Sequence, residues 1–163
     1  MVKRLLGLAC LVLGCGLFLY PGFISSYYLL TDKGLKMNQP STLAFAWHKR
    51  LHSRYEAYCR ERVRSGVAAS LEVNQLEETE WPLFGSCFFL WSTENLQAAW
   101  EANASLSSEA PAVYARGAIE AATALVLDPS HAKWVRDHWG EDYLHHENVF
   151  YRMLYISAIC SHH

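Results

Sequence analysis

The feature that most constrains this chain is an apolar run at its N-terminus. From Leu5 to Leu30 it holds 26 residues without a charged side chain. About 20 such residues are enough for a helix to cross the hydrocarbon core of a bilayer. Pro21 and Gly22 interrupt the run, so we expect the helix to kink or end near one interface. The run predicts a membrane anchor in residues 1–30, with residues 5–30 in contact with the lipid bilayer.

Two secretion signals begin in the same way as an anchor. A cleaved signal peptide needs a small-residue cleavage site, for which Ile24-Ser25-Ser26 is a candidate, and no Ala-x-Ala is present. A lipoprotein signal would modify Cys15, yet apolar residues continue for fifteen positions beyond it. An uncleaved signal-anchor fits the run better, and both alternatives stay open.

Basic residues flank the anchor on both sides, and the two groups favour opposite orientations. Lys3 and Arg4 precede the run, and Lys33 and Lys36 follow it closely. Basic residues prefer the cytoplasmic side, and the first pair favours a cytoplasmic N-terminus. We expect a single-pass membrane protein whose remaining residues lie on the outer or periplasmic side.

The rest of the chain has helical periodicity. Residues 31–40 read as a polar linker and residues 41–163 as a helical domain. No segment alternates polar and apolar residues before a hairpin turn. The predicted fold class is all-α, with consecutive helices paired as antiparallel hairpins. The predicted helices span about residues 42–64, 82–103, 111–127 and 129–139, and run from about residue 148 onward.

Apolar stripes predict which helix faces are buried. In the first domain helix one residue in every three or four is apolar, which predicts a core face. The second helix is apolar nearly all round at residues 83–91 and is expected to be central and buried. Its Gly85 and Ser86 would let another backbone approach closely. The predicted core stripe of the first helix is Leu43, Trp47, Leu51, Tyr55 and Tyr58.

Composition excludes two classes of protein. Of the 163 residues, 52% are hydrophobic and 18% are charged, and the net charge is −2. A disordered chain is more highly charged, and no nucleic acid partner is expected without a basic surface.

Cys59, Cys87 and Cys160 lack CxxC spacing, which favours buried free thiols, with one disulfide as the alternative.

Basic residues are concentrated in the first domain helix. A solvated face paired with glutamates of the following segment explains them, and contact with anionic lipid headgroups is the alternative. His48, His52 and Glu56 share helical spacing in the same segment, but Lys49 stands where a zinc protease needs glutamate. We expect surface histidines, no metal site and no cofactor. The headgroup alternative rests on Arg50, Arg54, Arg60 and Arg64.

A polar cluster between the last two helices could carry acid–base chemistry. Histidine titrates near neutral pH, and burial can tune carboxylates toward it. Tryptophans could shape an apolar pocket beside such groups, although core packing explains them equally. The candidate catalytic residues are Glu147, Tyr151, His138 and His145. The candidate substrate-binding residues are Asn148, Arg152, Trp91 and Trp139.

One stretch of this cluster resembles a known family. Residues 147–152 read Glu-Asn-Val-Phe-Tyr-Arg, after Trp139-Gly140 and Asp128-Pro129. This order resembles the N-terminal part of linalool dehydratase/isomerase-like proteins over about residues 81–163. The resemblance implies an (α/α)-barrel fold and cofactor-free hydration, dehydration or isomerisation of small terpene alcohols. The family's catalytic histidine corresponds to Leu154, so that role is not carried over.

Two hypotheses about function follow. A complete barrel needs at least ~200 residues, and the last helix has no stop signal before His163. We therefore expect a truncated, partial (α/α)-toroid, which acts as a binding module covered by a protein partner or by a missing C-terminal region. The alternative is a cofactor-independent lyase or isomerase that acts on a small apolar or sugar-like substrate.

Overall fold

The computed structural model describes residues 2–36, 40–72, 75–145 and 149–162. Within these ranges every regular element is a helix and there is no strand, which confirms the predicted all-α class. The chain divides into two compact units, Met1–Ser41 and Thr42–His163.

The first unit contains the predicted apolar helix. It consists of α1 (Val2–Gly14), a π-helical turn (Cys15–Leu19) and α2 (Tyr20–Thr31), followed by the short α3 (Lys33–Lys36). Lys3–Thr31 is one helix of 29 residues that is long and apolar enough to cross a membrane. A membrane anchor and an N-terminal signal both have this form.

The π-helical turn explains why the helix does not end at Pro21. Proline has no N–H, and in an α-helix its ring collides with the carbonyl four residues earlier. Here the Tyr20 N–H bonds to the Cys15 carbonyl oxygen, five residues back. The wider turn makes room for the ring, so the helix continues to Thr31.

The second unit is built from six helices among its described residues. α7 packs against both α4 and α5, and α9 packs against α5 and α7. Short 3-10 turns at Val67–Ser70, Ala104–Leu106 and Pro129–Ala132 connect successive helices. The helices are α4 (Thr42–Ser65), α5 (Leu76–Ala102), α6 (Pro111–Tyr114), α7 (Arg116–Leu127), α8 (Lys133–Trp139) and α9 (Val149–His162).

The start of α5 corrects the sequence prediction. Pro82 was expected near the first turn, but α5 begins six residues earlier at Leu76. Pro82 cannot bond the Glu78 carbonyl, four residues before it, and Arg62 Nη2 donates a hydrogen bond to that oxygen instead. Arg62 Nη1 also contacts the Glu78 carboxylate at 2.7 Å. This arginine from α4 therefore stabilises a helix that contains an internal proline.

The core lies where α7 meets its neighbours. The α7 side chains that face the core are mostly small, which permits close helix approach, as at Ala118, Ala121 and Ala122. Leu125 and Val126 complete this buried face. The opposing buried residues include Cys59 of α4, Leu83, Cys87 and Leu90 of α5, and Tyr151, Leu154 and Ala158 of α9.

The predicted core stripe of α4 is wrong at three positions. Trp47, Leu51 and Tyr58 are 54%, 49% and 43% exposed. The α4 face that packs inward instead carries Phe45, His48 and Cys59, with Tyr55 partly buried at its edge. The prediction failed because α7 and α5 cover a neighbouring face of α4, one that holds a histidine and a cysteine among its buried residues.

Two other burial predictions also need correction. α5 is not buried all round, since Trp81 and Phe88 are 67% and 56% exposed. Cys59 and Cys87 are buried free thiols as predicted, but Cys160 is exposed. Burial raises the pKa of both buried thiols to about 11, which makes them unreactive at neutral pH.

Two glycines provide a matched test of this packing. A Cβ at Gly85 would stand 2.9 Å from the Tyr55 hydroxyl, whose rigid ring is packed on Phe89. At Gly117 the nearest atoms to it would be those of the flexible Glu56 carboxylate. We expect Gly85→Ala to lower the free energy of unfolding by about 1–3 kcal/mol. Gly117→Ala should change it by less than about 1 kcal/mol.

Urea unfolding of the full chain in detergent micelles, followed by circular dichroism, measures both values. Equal effects of the two substitutions would contradict the packing described at Gly85.

Candidate functional site

An exposed aromatic ladder runs along α5. Trp81 and Phe84 lie 6.4 Å apart between ring centroids, Phe84 and Phe88 stack at 6.1 Å, and Phe88 meets Trp91 edge-on at 5.5 Å. Positions 81, 84, 88 and 91 follow helical spacing, so the rings form one continuous row. The outer rings are those of Trp81 and Phe88, while Phe84 and Trp91 are half-buried.

The helix α4 also carries exposed apolar residues. His48 of α4 bonds Thr93 of α5, and Arg62 bonds Glu78, so the two helices run in opposite directions. α7 covers one side of the pair. The exposed apolar residues of both helices occupy positions other than those buried against α7. We call this surface the apolar face. It comprises Trp47, Leu51 and Tyr58 of α4, and Trp81, Phe84, Phe88 and Trp91 of α5.

The arginines of α4 fall into two groups. Arg60 Nε contacts the Glu56 carboxylate at 2.9 Å, and Arg64 Nη2 contacts Glu61 at 2.7 Å. Arg62 is held by Glu78 on α5, as the sequence interpretation of Arg–Glu pairing expected. The headgroup alternative relied on Arg50, Arg54, Arg60 and Arg64. Only two of these four arginines therefore have a charge that is not already paired.

Those two arginines are Arg50 and Arg54. Both are exposed, and neither forms an ion pair within the described ranges. They share a side of α4 with Trp47, Leu51 and Tyr58, because positions 47, 50, 51, 54 and 58 follow the i, i+3, i+4 spacing of one helix face. The apolar face thus has a basic rim.

A buried polar network joins α4 to α5 and α6. Thr93 donates its only hydroxyl proton to the Phe89 carbonyl oxygen at 2.8 Å, so it accepts from His48 Nε2–H, also at 2.8 Å. Nδ1 of His48 therefore accepts from the Tyr114 hydroxyl at 3.0 Å. The ring also stacks on Phe89. Burial, with a smaller effect of His52, lowers the pKa of His48 to about 4.

This network corrects the expectation of surface histidines. Both ring nitrogens of His48 are engaged, and the ring is buried. His52 Nδ1 contacts the Lys49 carbonyl oxygen at 2.7 Å, and Glu56 is paired with Arg60. The described residues contain no group of three His, Cys, Asp or Glu side chains arranged to hold a metal.

The described acid–base candidates are not brought together. His138 and His145 are exposed, and His145 lies 3.6 Å from the exposed Asp142 carboxylate. Tyr151 is instead in the core. Burial is the largest cause that raises the pKa of its hydroxyl, which does not favour proton transfer near neutral pH. Glu147 and Asn148 lie outside the described residues.

The candidate substrate-binding residues are also dispersed. Arg152 is exposed on α9, Trp91 belongs to the ladder of α5, and Trp139 is partly exposed beside the His138 ring. The Tyr151 ring packs against Trp134 and so contributes to the core.

A cavity of about 240 Å³ lies elsewhere, among α5, α6, α7 and α9. Its groups largely bond one another: Ser161 Oγ donates to Glu94 at 2.6 Å, and the Gln97 amide donates to Glu101 at 2.8 Å. None of the predicted site residues that the structure describes lines it.

No protein-family model, curated protein or solved structure matches this chain. The functional interpretation therefore depends on the chain's own geometry. The apolar face is the feature that sequence reasoning missed, because its residues have the spacing of a core stripe. The two unpaired arginines within that spacing, Arg50 and Arg54, were the signal that the stripe is not core.

The buried histidine predicts a pH dependence of stability. Its pKa of about 4 when folded lies below the usual value of 6.5, so the unfolded chain takes up the proton first as pH falls. Stability is therefore complete above about pH 6.5 and decreases toward pH 4. At about 1.4 kcal/mol per pKa unit, the loss from this group is roughly 3 kcal/mol. His131, whose pKa burial also lowers, acts in the same direction.

His48→Gln keeps an amide donor for Thr93 but cannot titrate. We expect the free energy of unfolding of this variant to vary less steeply with pH between 4 and 6.5 than that of the unsubstituted chain, by about one bound proton. Urea titrations of both proteins in micelles at several pH values measure the slopes. An unchanged slope would exclude His48 as the titrating group.

Proposed function

We propose that this protein is a membrane-anchored helical binding module that acts through the apolar face. The observation that carries the proposal is the exposure of Trp81 and Phe88 within a continuous aromatic row. Large contiguous apolar patches on soluble proteins mark sites of interaction. Trp81 and Phe88 are not needed to complete the core, because both are mostly exposed, whereas the half-buried Phe84 packs against the core.

The N-terminal unit supplies the anchor in this proposal. The helix Lys3–Thr31 would cross the bilayer once, with the N-terminus in the cytoplasm and the helical domain on the outer or periplasmic side. Aromatic residues near its second half, Tyr20, Tyr27 and Tyr28, suit a membrane interface.

A partial (α/α)-toroid is compatible with this function. In that arrangement, helices of a longer chain would cover the apolar face in place of a separate partner. We prefer a binding module to the acid–base enzyme because Tyr151, a described member of the proposed proton-transfer pair, is enclosed by aromatic rings.

The anchor predicts that the protein resists alkaline carbonate extraction. An arginine near the middle of a membrane helix costs about 2.5–3.5 kcal/mol on insertion scales, and much less near its end. Leu17→Arg should therefore shift protein into the soluble fraction, whereas Leu30→Arg should not. A chain that is soluble without substitution, or whose mature N-terminus follows Ser26, would identify a cleaved signal instead.

The proposed function predicts that position 88 of the apolar face is protected from thiol reagents in native membranes. We expect Phe88→Cys to react with a charged maleimide at least about tenfold more slowly than Ala104→Cys, since covered apolar surface excludes reagent and water. Ala104 is exposed on a turn of the same domain. The background replaces the exposed native cysteines with alanine at Cys10, Cys15 and Cys160.

Sheared membranes, open on both sides, remove any effect of sidedness. Equal labelling rates at the two positions would mean that the apolar face is uncovered, and the proposed function would be wrong.

A further inference from the structure

We propose that the apolar face docks on the surface of the bilayer that holds the chain's own anchor. In this arrangement its aromatic side chains enter the interfacial zone, and Arg50 and Arg54 contact anionic lipid headgroups. The inference rests on the proposed function and names the partner of the same face.

The α4 residues of the apolar face have the chemistry of a membrane interface. Trp47 and Tyr58 have the amphipathic rings that concentrate at the headgroup level of bilayers. Leu51 lies between them, and Arg50 and Arg54 stand on the same side of the helix. Surface-bound helices combine such apolar groups with basic residues that attract anionic lipids.

The distribution of paired charges supports the same partner. Arg60, Arg62 and Arg64 are each neutralised by a glutamate. Lys49, which neighbours Arg50 in α4, is paired with Glu109 at 3.0 Å. Glu61, the carboxylate of α4 that follows Tyr58 by three residues, is occupied by Arg64. The unpaired positive charge of α4 therefore belongs to Arg50 and Arg54, and anionic headgroups are its complement.

The α5 ladder is ordered before binding. Each ring contacts its neighbour along the row, and Phe84 and Trp91 are half-buried. Side chains that are already held in place lose little entropy on association. A rigid row of rings can therefore enter a fluid interface without a specific protein surface to match it.

Chain connectivity selects the bilayer over other partners. Ten residues, 32 to 41, separate the end of α2 from the start of α4. An extended chain spans at most ~3.6 Å per residue. A bilayer entered by the helix Lys3–Thr31 is therefore within reach of the domain at any protein concentration, whereas a second copy or a separate partner must first be encountered.

Tryptophan fluorescence tests the inference directly. All six tryptophans lie between residues 47 and 139, and none is in the N-terminal unit. Quenching by bromine on the lipid chains therefore reports the helical domain alone. The full chain is reconstituted at low density in vesicles of phosphatidylcholine and phosphatidylserine, brominated just below the headgroup. We expect quenching that decreases in high salt, where the Debye length falls from about 10 to about 3 Å.

Two charge-matched double variants locate the contact. Arg50→Gln with Arg54→Gln should weaken docking by about 25-fold, at roughly fivefold for each arginine near an anionic surface. Arg60→Gln with Arg116→Gln removes the same charge outside the apolar face, since the Glu56 partner of Arg60 lies against Gly117 of α7, and should leave quenching unchanged. Circular dichroism of each variant verifies that the helices are intact.

Trp81→Ser with Phe88→Ser provides a second test that does not depend on charge. These side chains are exposed, so the fold should survive while quenching is lost. Absence of quenching in the unsubstituted chain, or equal quenching in both arginine variants, would overturn the inference. If Phe88→Cys were nevertheless protected in native membranes, a protein partner or a second copy would cover the face. The proposed function would then stand without this inference.

Discussion

The packing of α7 against α4 and α5 determines which side chains of these two helices are buried and which are exposed. Its small side chains at Ala118, Ala121 and Ala122 let the larger helices approach closely. That approach sets the rotation of α4, which turns His48 and Cys59 inward and Trp47 outward. Because side chains of a helix are fixed relative to one another, the exposed strip is a direct consequence of the buried one.

Much of the fold could be predicted from local sequence signals, and the errors have identifiable causes. Gly66 ends α4 with a φ of 61°, and Gly140 ends α8 with a φ of 83°, conformations that favour glycine. Pro82 misled the prediction of α5 because its compensation, Arg62, comes from 20 residues away. Local patterns cannot reveal a partner that only tertiary structure supplies.

The candidate site was harder to predict than the fold for a related reason. A core stripe and a binding stripe have the same helical spacing, and only the neighbouring helices decide between them. His48 was expected on the surface because of its basic neighbours, yet Thr93 and Tyr114 satisfy both of its ring nitrogens. Tyr151 was expected in a catalytic role, but its place among aromatic rings belongs to packing. A residue type that could carry chemistry can therefore act only where the fold leaves its side chain accessible.

On the proposed function, the anchor and the apolar face have complementary roles. A helix that spans the bilayer holds the protein there almost irreversibly, so the face need not supply the affinity for the membrane. A short tether between the anchor and the domain raises the effective concentration of the domain at the membrane surface to the millimolar range. If the face docks as proposed, weak binding through Arg50 and Arg54 would be enough to orient the domain and would still allow its release. The same exposed rings would promote aggregation on a freely diffusing protein, which is a physical reason for an aromatic face and an apolar N-terminal helix to occur in one chain.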